Sequence, residues 1–169
     1  IYLNTKELTM LYKLDLSKNK SLDNVRDWFL IGAYTGFRFS DLKRLTNENL
    51  QGETIEMRTQ KTDKSVTIPL HPIIKDVAKV AKINESILVE ETKGALKTKR
   101  QEPKYNLVSA HTARRSFATN AFLAGVPPIQ IMKMTGHKTE VAFLKYIKVD
   151  EKENAKILQM HPFFNMAVK

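Results

Sequence analysis

The chain has 169 residues, 42% of them apolar, which is enough for one packed domain. It has no cysteine, which excludes disulfides and zinc–thiolate sites. Its four histidines, His71, His111, His137 and His161, form no His-Glu-x-x-His pattern, so a metal centre is not expected. Against 18 Asp and Glu stand 28 Lys and Arg, a formal charge of +10 that suits a polyanionic partner, while no long apolar run or lipidation signal points to a membrane.

Taken along the chain, Asn4-Thr-Lys-Glu7 reads as a capping box opening a helix to about Leu14. Leu22 to Tyr34 is a second, buried helix with Trp28, Phe29 and Ile31 on its core side, and Gly36 marks its end. Ser40 then reads as the cap of a short helix to Leu45. Arg38 thus falls at a helix-to-helix junction that can aim a long side chain into a cleft, with Asp41 placed to hold that side chain. Thr54 to Gln60 and Ser65 to Ile68 alternate or are β-branched, and Lys61-Thr-Asp-Lys64 joins them as a hairpin turn. Pro72 starts a helix through about Ala81. A third strand is expected within Ile87 to Glu102, and the join at Lys75-Asp76 reads as though residues are missing there. Val126-Pro127-Pro128 breaks the chain before a helix from Ile129 to Met134. With the helix preceding it, this resembles a helix-turn-helix or, more plainly, two packed helices. The whole reads as mainly α with a small antiparallel β-sheet.

The chemistry concentrates between residues 110 and 146. Ala110 to Ala124 reads as a helix capped by Ser109, with Phe117, Ala118, Ala121 and Phe122 forming its apolar stripe. His111 and Arg114, three residues apart, share one face of it. A guanidinium forks onto two phosphate oxygens and an imidazole can add another hydrogen bond, so the pair suits a phosphodiester; alone it is equally a surface His and Arg on a basic helix. Basic residues recur at Lys13 to Lys20, Lys43-Arg44, Lys93 to Lys104 and Arg114-Arg115. Each run by itself is an ordinary solvated face, and jointly they suit a polyanion.

Five motifs in order resemble the tyrosine recombinases, also called phage integrases. Thr35 to Leu42 is similar to the family's TGxRxSEL box, with Asp41 in the usual Glu place. Lys61, Lys64 and Ile68-Pro69-Leu70 are similar to its lysine hairpin, His111 to Arg114 to HxxR, and Thr135-Gly136-His137 to (L/T)GH. Tyr146, nine residues later, stands at the nucleophile's place. The wording HTARRSFATN and TGHKTE with FLKYI resembles the integrases of conjugative transposons and prophages. Arg115 departs from the second His that the family box often carries.

The resemblance implies the family's catalytic-domain fold and site-specific DNA recombination, integration or excision, without a cofactor. Tyr146 would attack the scissile phosphorus to give a 3′-phosphotyrosyl link. Arg38 and Arg114 would stabilise the non-bridging oxygens, and Lys61 would protonate the departing 5′-oxygen. His111 would accept the tyrosine proton, His137 would hydrogen-bond the phosphate, and Asp41 would support its neighbours. Lys43, Arg44, Lys64 and Arg115 are implied DNA contacts. The partner would be double-stranded DNA, bound as a homotetramer by a chain that is monomeric when isolated, with accessory directionality or DNA-bending proteins, in the bacterial cytoplasm at the nucleoid.

Residues 1–169 are thus expected to be one catalytic domain with residues 147–169 as its tail, standing without the core-binding and arm-binding domains that precede it in the family. The tail would dock on a neighbouring protomer or fold back through Phe163 and Phe164. Two other classes fit parts of the sequence: a type IB topoisomerase, which uses the same chemistry to religate the same strand, and a non-catalytic DNA-binding module, which would need neither Tyr146 nor Lys61.

Overall fold

A computed structural model of the protein describes residues 1–80, 108–147, 149, 151–161 and 164. The described chain runs α1 (Thr5–Tyr12), α2 (Lys20–Thr35), α3 (Phe39–Leu42), a 3-10 turn (Asn47–Asn49), β1 (Leu50–Gln51), β2 (Thr54–Arg58), β3 (Ser65–Pro69), α4 (Pro72–Val80), α5 (Ala110–Leu123), α6 (Pro128–Thr135), α7 (Glu140–Tyr146) and α8 (Glu151–Met160). Among these residues no helix is long and apolar enough to cross a membrane.

Local chemistry sets most of the boundaries. The Asn4 side chain accepts from the Glu7 amide while the Glu7 carboxylate accepts from the Asn4 amide, closing the expected capping box at the start of α1. α2 ends at Gly36, whose φ of 69° no side-chain-bearing residue adopts without strain. α3 differs from expectation: its cap is Arg38, in extended backbone, whose carbonyl accepts from the amides of Asp41 and Leu42. Ser40 lies inside the first turn because the chain already bends at Arg38, one residue after the buried Phe37.

The three strands form an antiparallel sheet in the order β1-β2-β3, with Ile55 opposite Ile68 and Arg58 opposite Ser65. Its third strand is the two-residue β1, paired with Gln51 opposite Thr54, and the strand expected between Ile87 and Glu102 lies outside the described residues. β1 is too short for an alternating pattern to be read from sequence. α4 passes through Lys75 and Asp76.

Two apolar clusters result. Leu30, Ile31, Phe37, Leu42, Ile55, Ile68 and Ile74 belong to the first, with Trp28 and Phe29 packed partly buried against it. Ala118, Ile131, Met132, Phe143 and Ile147 form the second, between α5, α6 and α7. α5 packs along α2, so His111 and Arg114 in the first turns of α5 are held in a fixed relation to Arg38, which follows the end of α2.

Candidate active site

An open groove of about 1340 Å³ lies where the helix ends meet the β2–β3 hairpin, and it is lined by Arg38, Lys61, His111, Arg114, His137 and Tyr146. These six come from separate parts of the chain: the α2–α3 junction, the hairpin tip, α5, the turn after α6, and α7. Lys43 and Arg44 line the same groove. Lys64 lies on an adjoining recess of about 760 Å³ shared with Arg38, Lys61 and His137.

Arg114 is the most enclosed of the set, 7% exposed. Its guanidinium donates to the carbonyl of Gly36, at the end of α2, and to that of Thr135, the last residue of α6. Both acceptors sit at helix C-termini, where unpaired carbonyls and the helix dipole concentrate negative charge. Each helix ends there because the chain turns into the left-handed region at a glycine, Gly36 at φ 69° and Gly136 at φ 67°. Burial and the neighbouring Arg38 charge lower the Arg114 pKa to about 10, so it stays a cation at neutral pH.

His137 is held by Thr135, whose Oγ1 lies 2.7 Å from Nδ1. Burial and then the positive charges of Arg114 and Arg38 lower its pKa to about 4, and burial followed by Arg115 and Arg114 lowers that of His111. Both imidazoles are therefore neutral near pH 7.

Tyr146 stands between them, its ring centroid 4.7 Å from that of His137 and 5.3 Å, edge-on, from that of His111. Burial raises its pKa, while Arg114 and Arg115 pull the other way by favouring the phenolate. Its hydroxyl is buried with no hydrogen-bond partner of good geometry among the described residues, although Arg114 is close enough to act on its charge.

Lys61 is carried by a braced loop. The Thr59 amide donates to the Lys64 carbonyl, Asp63 takes a positive φ of 51°, and the Gln60 amide donates 2.8 Å to Asp41 Oδ1. Asp41, 1% exposed, therefore supports the lysine hairpin. Sequence spacing pointed it at Arg38 instead, but no ion pair joins Asp41 and Arg38 among the described residues. α3 turns the carboxylate toward the sheet.

Arg115 also differs from a plain surface contact, since its guanidinium carbon lies 5.1 Å from the centroid of the Tyr146 ring. The carbonyls of Gly36 and Thr135 and the Thr135 hydroxyl are parts of the site that motif reading missed. Backbone acceptors leave no mark in residue types, and only the two glycines hint at them.

The phage integrase family model matches residues 2–153 of the chain. The chain belongs to the phage integrase family. Among solved structures it resembles the catalytic domain of bacteriophage HP1 integrase, with a TM-score of 0.56 and 17% identity over 99% of this chain and 98% of that one. It also resembles XerA recombinase, with a TM-score of 0.62 and 17% identity over 95% of this chain and 65% of that one. The Tn1549 transposon integrase in complex with circular intermediate DNA gives a TM-score of 0.59 and 17% identity over 95% and 65%. The chain thus spans 65% of the length of the last two proteins. No curated protein matches it. At these identities the likeness is one of fold, and the fold is that of an integrase catalytic domain, mainly helical with a small antiparallel sheet.

Proposed function

We propose that this integrase-family domain cuts and rejoins double-stranded DNA through Tyr146 in site-specific recombination, by way of a 3′-phosphotyrosyl intermediate. The observation that carries this reading is that one groove brings together two arginines, a lysine, two histidines and a tyrosine from five separate segments. Arg38 and Arg114 stabilise charge on the non-bridging oxygens as the phosphorus becomes pentacoordinate. Lys61, on its braced loop, gives a proton to the departing 5′-oxygen, and His111 takes the proton of the Tyr146 hydroxyl. His137 hydrogen-bonds the phosphate. Asp41 keeps Lys61 in place through Gln60. The phosphodiester bond energy is kept in the tyrosyl ester, so the 5′-hydroxyl of another strand can reverse the attack without ATP.

Lys43, Arg44 and Lys64 lie along the groove and its neighbouring recess, where they meet flanking phosphates, and Arg115 adds positive charge beside the nucleophile. The DNA-bound form is a homotetramer of a longer protein whose preceding domains complete the grip on the duplex and choose the site. Directionality or bending factors assist at the bacterial nucleoid. The reading is supported by complexes of similar folds, such as the Tn1549 integrase with circular intermediate DNA and XerH with its difH substrate.

A nicked suicide duplex, which traps the covalent step by losing its leaving strand, tests the centre of the proposal. The full-length protein accumulates a covalent protein–DNA adduct and its Tyr146→Phe variant none. An adduct that persists in the variant overturns the role of Tyr146.

A further inference from the structure

The phosphate-binding role of His137 requires an N–H directed at an oxygen, and the hydrogen bonds around this ring decide which nitrogen has one. Thr135 Oγ1 lies 2.8 Å from the carbonyl of Ile131 and 2.7 Å from His137 Nδ1. A carbonyl can only accept, and a hydroxyl has one proton. Both contacts are hydrogen bonds in only one arrangement: the Thr135 hydroxyl donates to Ile131, and Nδ1–H donates to the Thr135 oxygen. Thr135 is completely buried, so no competing water reorients its hydroxyl.

We infer that Thr135 is a positioning residue that fixes His137 as the Nδ1–H tautomer, so that the ring offers the groove a bare Nε2 and binds a phosphodiester only by taking up a proton. The inference rests on the proposed phosphate role of His137. Without Thr135 a neutral ring could place its single proton on Nε2 and donate at once. With it, the donating form is the imidazolium, Nδ1–H on Thr135 and Nε2–H on the phosphate oxygen, the second proton coming from solvent. Phosphate capture is then coupled to the uptake of one proton.

The surroundings favour such coupling. Facing His137 are Arg38 from the α2–α3 junction, His111 and Arg114 from α5 and Tyr146 from α7. Lys61, Lys64, Lys133 and Lys138, with the carboxylate of Asp41, line the recess that it shares. The groove thus opposes a charged imidazole, and burial, followed by the charges of Arg114 and Arg38, takes its pKa down to about 4. An anion at the arginines removes that opposition and supplies a partner for Nε2–H.

The test uses histidine-labelled protein and dimethyl phosphate, a phosphodiester that does not itself titrate near neutral pH. In the free wild-type protein, nitrogen NMR should show His137 with a protonated Nδ1 and an unprotonated Nε2. Adding dimethyl phosphate should protonate Nε2, with affinity falling about tenfold per pH unit where the proton is taken up. Thr135→Val, which keeps the shape and removes the hydroxyl, should release the tautomer and reduce the slope to what His111 contributes. Thr135→Ser should restore it. A protonated Nε2 in the free wild-type ring, or the same slope in Thr135→Val, overturns the inference. The NMR readout needs no DNA cleavage, so its outcome is separate from that of the Tyr146→Phe adduct assay.

Discussion

Arg114 joins a structural task to a proposed one, because the guanidinium assigned above to phosphate also ties the end of α2 to the end of α6. Arg114→Ala should lower the cleavage rate about 100- to 1,000-fold, as loss of a transition-state donor does, and unfold at lower denaturant by about 3 kcal/mol for two lost charge-assisted hydrogen bonds. Arg114→Lys keeps the charge but cannot fork between two carbonyls, and should recover stability only in part. Urea unfolding with single-turnover cleavage separates the two effects. The histidines give the domain a pH signature. Both His111 and His137 have folded pKa values depressed below the ordinary value, so the unfolded chain binds protons more readily than the folded one. Their contribution is fully present above about pH 6.5 and is lost as pH falls toward the folded values. Discounted for solvent screening, the loss from His137 at pH 5 is about 1 kcal/mol, or about 2–4 °C in Tm. His137→Asn should flatten the Tm profile over that window, and an unchanged slope would rule out His137 as its source. At this scale the sequence was readable where residue type is the message: Arg38, Lys61, His111, Arg114, His137 and Tyr146 all line one groove. Asp41 was misdirected, since spacing along a helix says nothing of the sheet on its other side.

Gly36 and Gly136, the left-handed glycines that end α2 and α6, look alike in sequence and differ in their surroundings. A Cβ on Gly36 would lie 2.4 Å from Phe117 Cδ1, whereas one on Gly136 would meet nothing closer than Arg38 at 3.9 Å. Gly136→Ala should therefore cost about 1–2 kcal/mol of backbone strain, and Gly36→Ala about 2–4 kcal/mol because the ring must also move. Equal losses in thermal unfolding would count against the difference. The lysine hairpin makes a second prediction. Asp41→Ala removes the acceptor of the Gln60 amide, so that amide should exchange faster with solvent and cleavage should fall, while Asp41→Asn, which keeps an acceptor oxygen, should lose less. Helices with caps and stripes, α1, α2 and α5, were legible to within a few residues. β1 was not: its two residues pair through backbone atoms, and pairing of that kind has no periodicity to read.

Over the whole molecule, the formal charge of +10 suits the proposed DNA partner. Affinity for a duplex should fall with salt at a log–log slope of about 0.9 per phosphate covered, and neutralising Lys43 and Arg44 together should reduce that slope by about 2. Binding that ignores salt would contradict a phosphate-led interface. The tail was left open between two positions in the sequence, and α8 packs against α5 of its own chain, with Tyr2 donating to Glu153. Phe163 lies outside the described residues, and Phe164 is 60% exposed. The grip on Arg114 has a consequence for heredity. Its acceptors, the carbonyls of Gly36 and Thr135, are backbone atoms that every residue supplies, so no codon change deletes them directly. Mutation reaches that grip through the glycine turns, through the packing that places the two helix ends, or through the arginine itself.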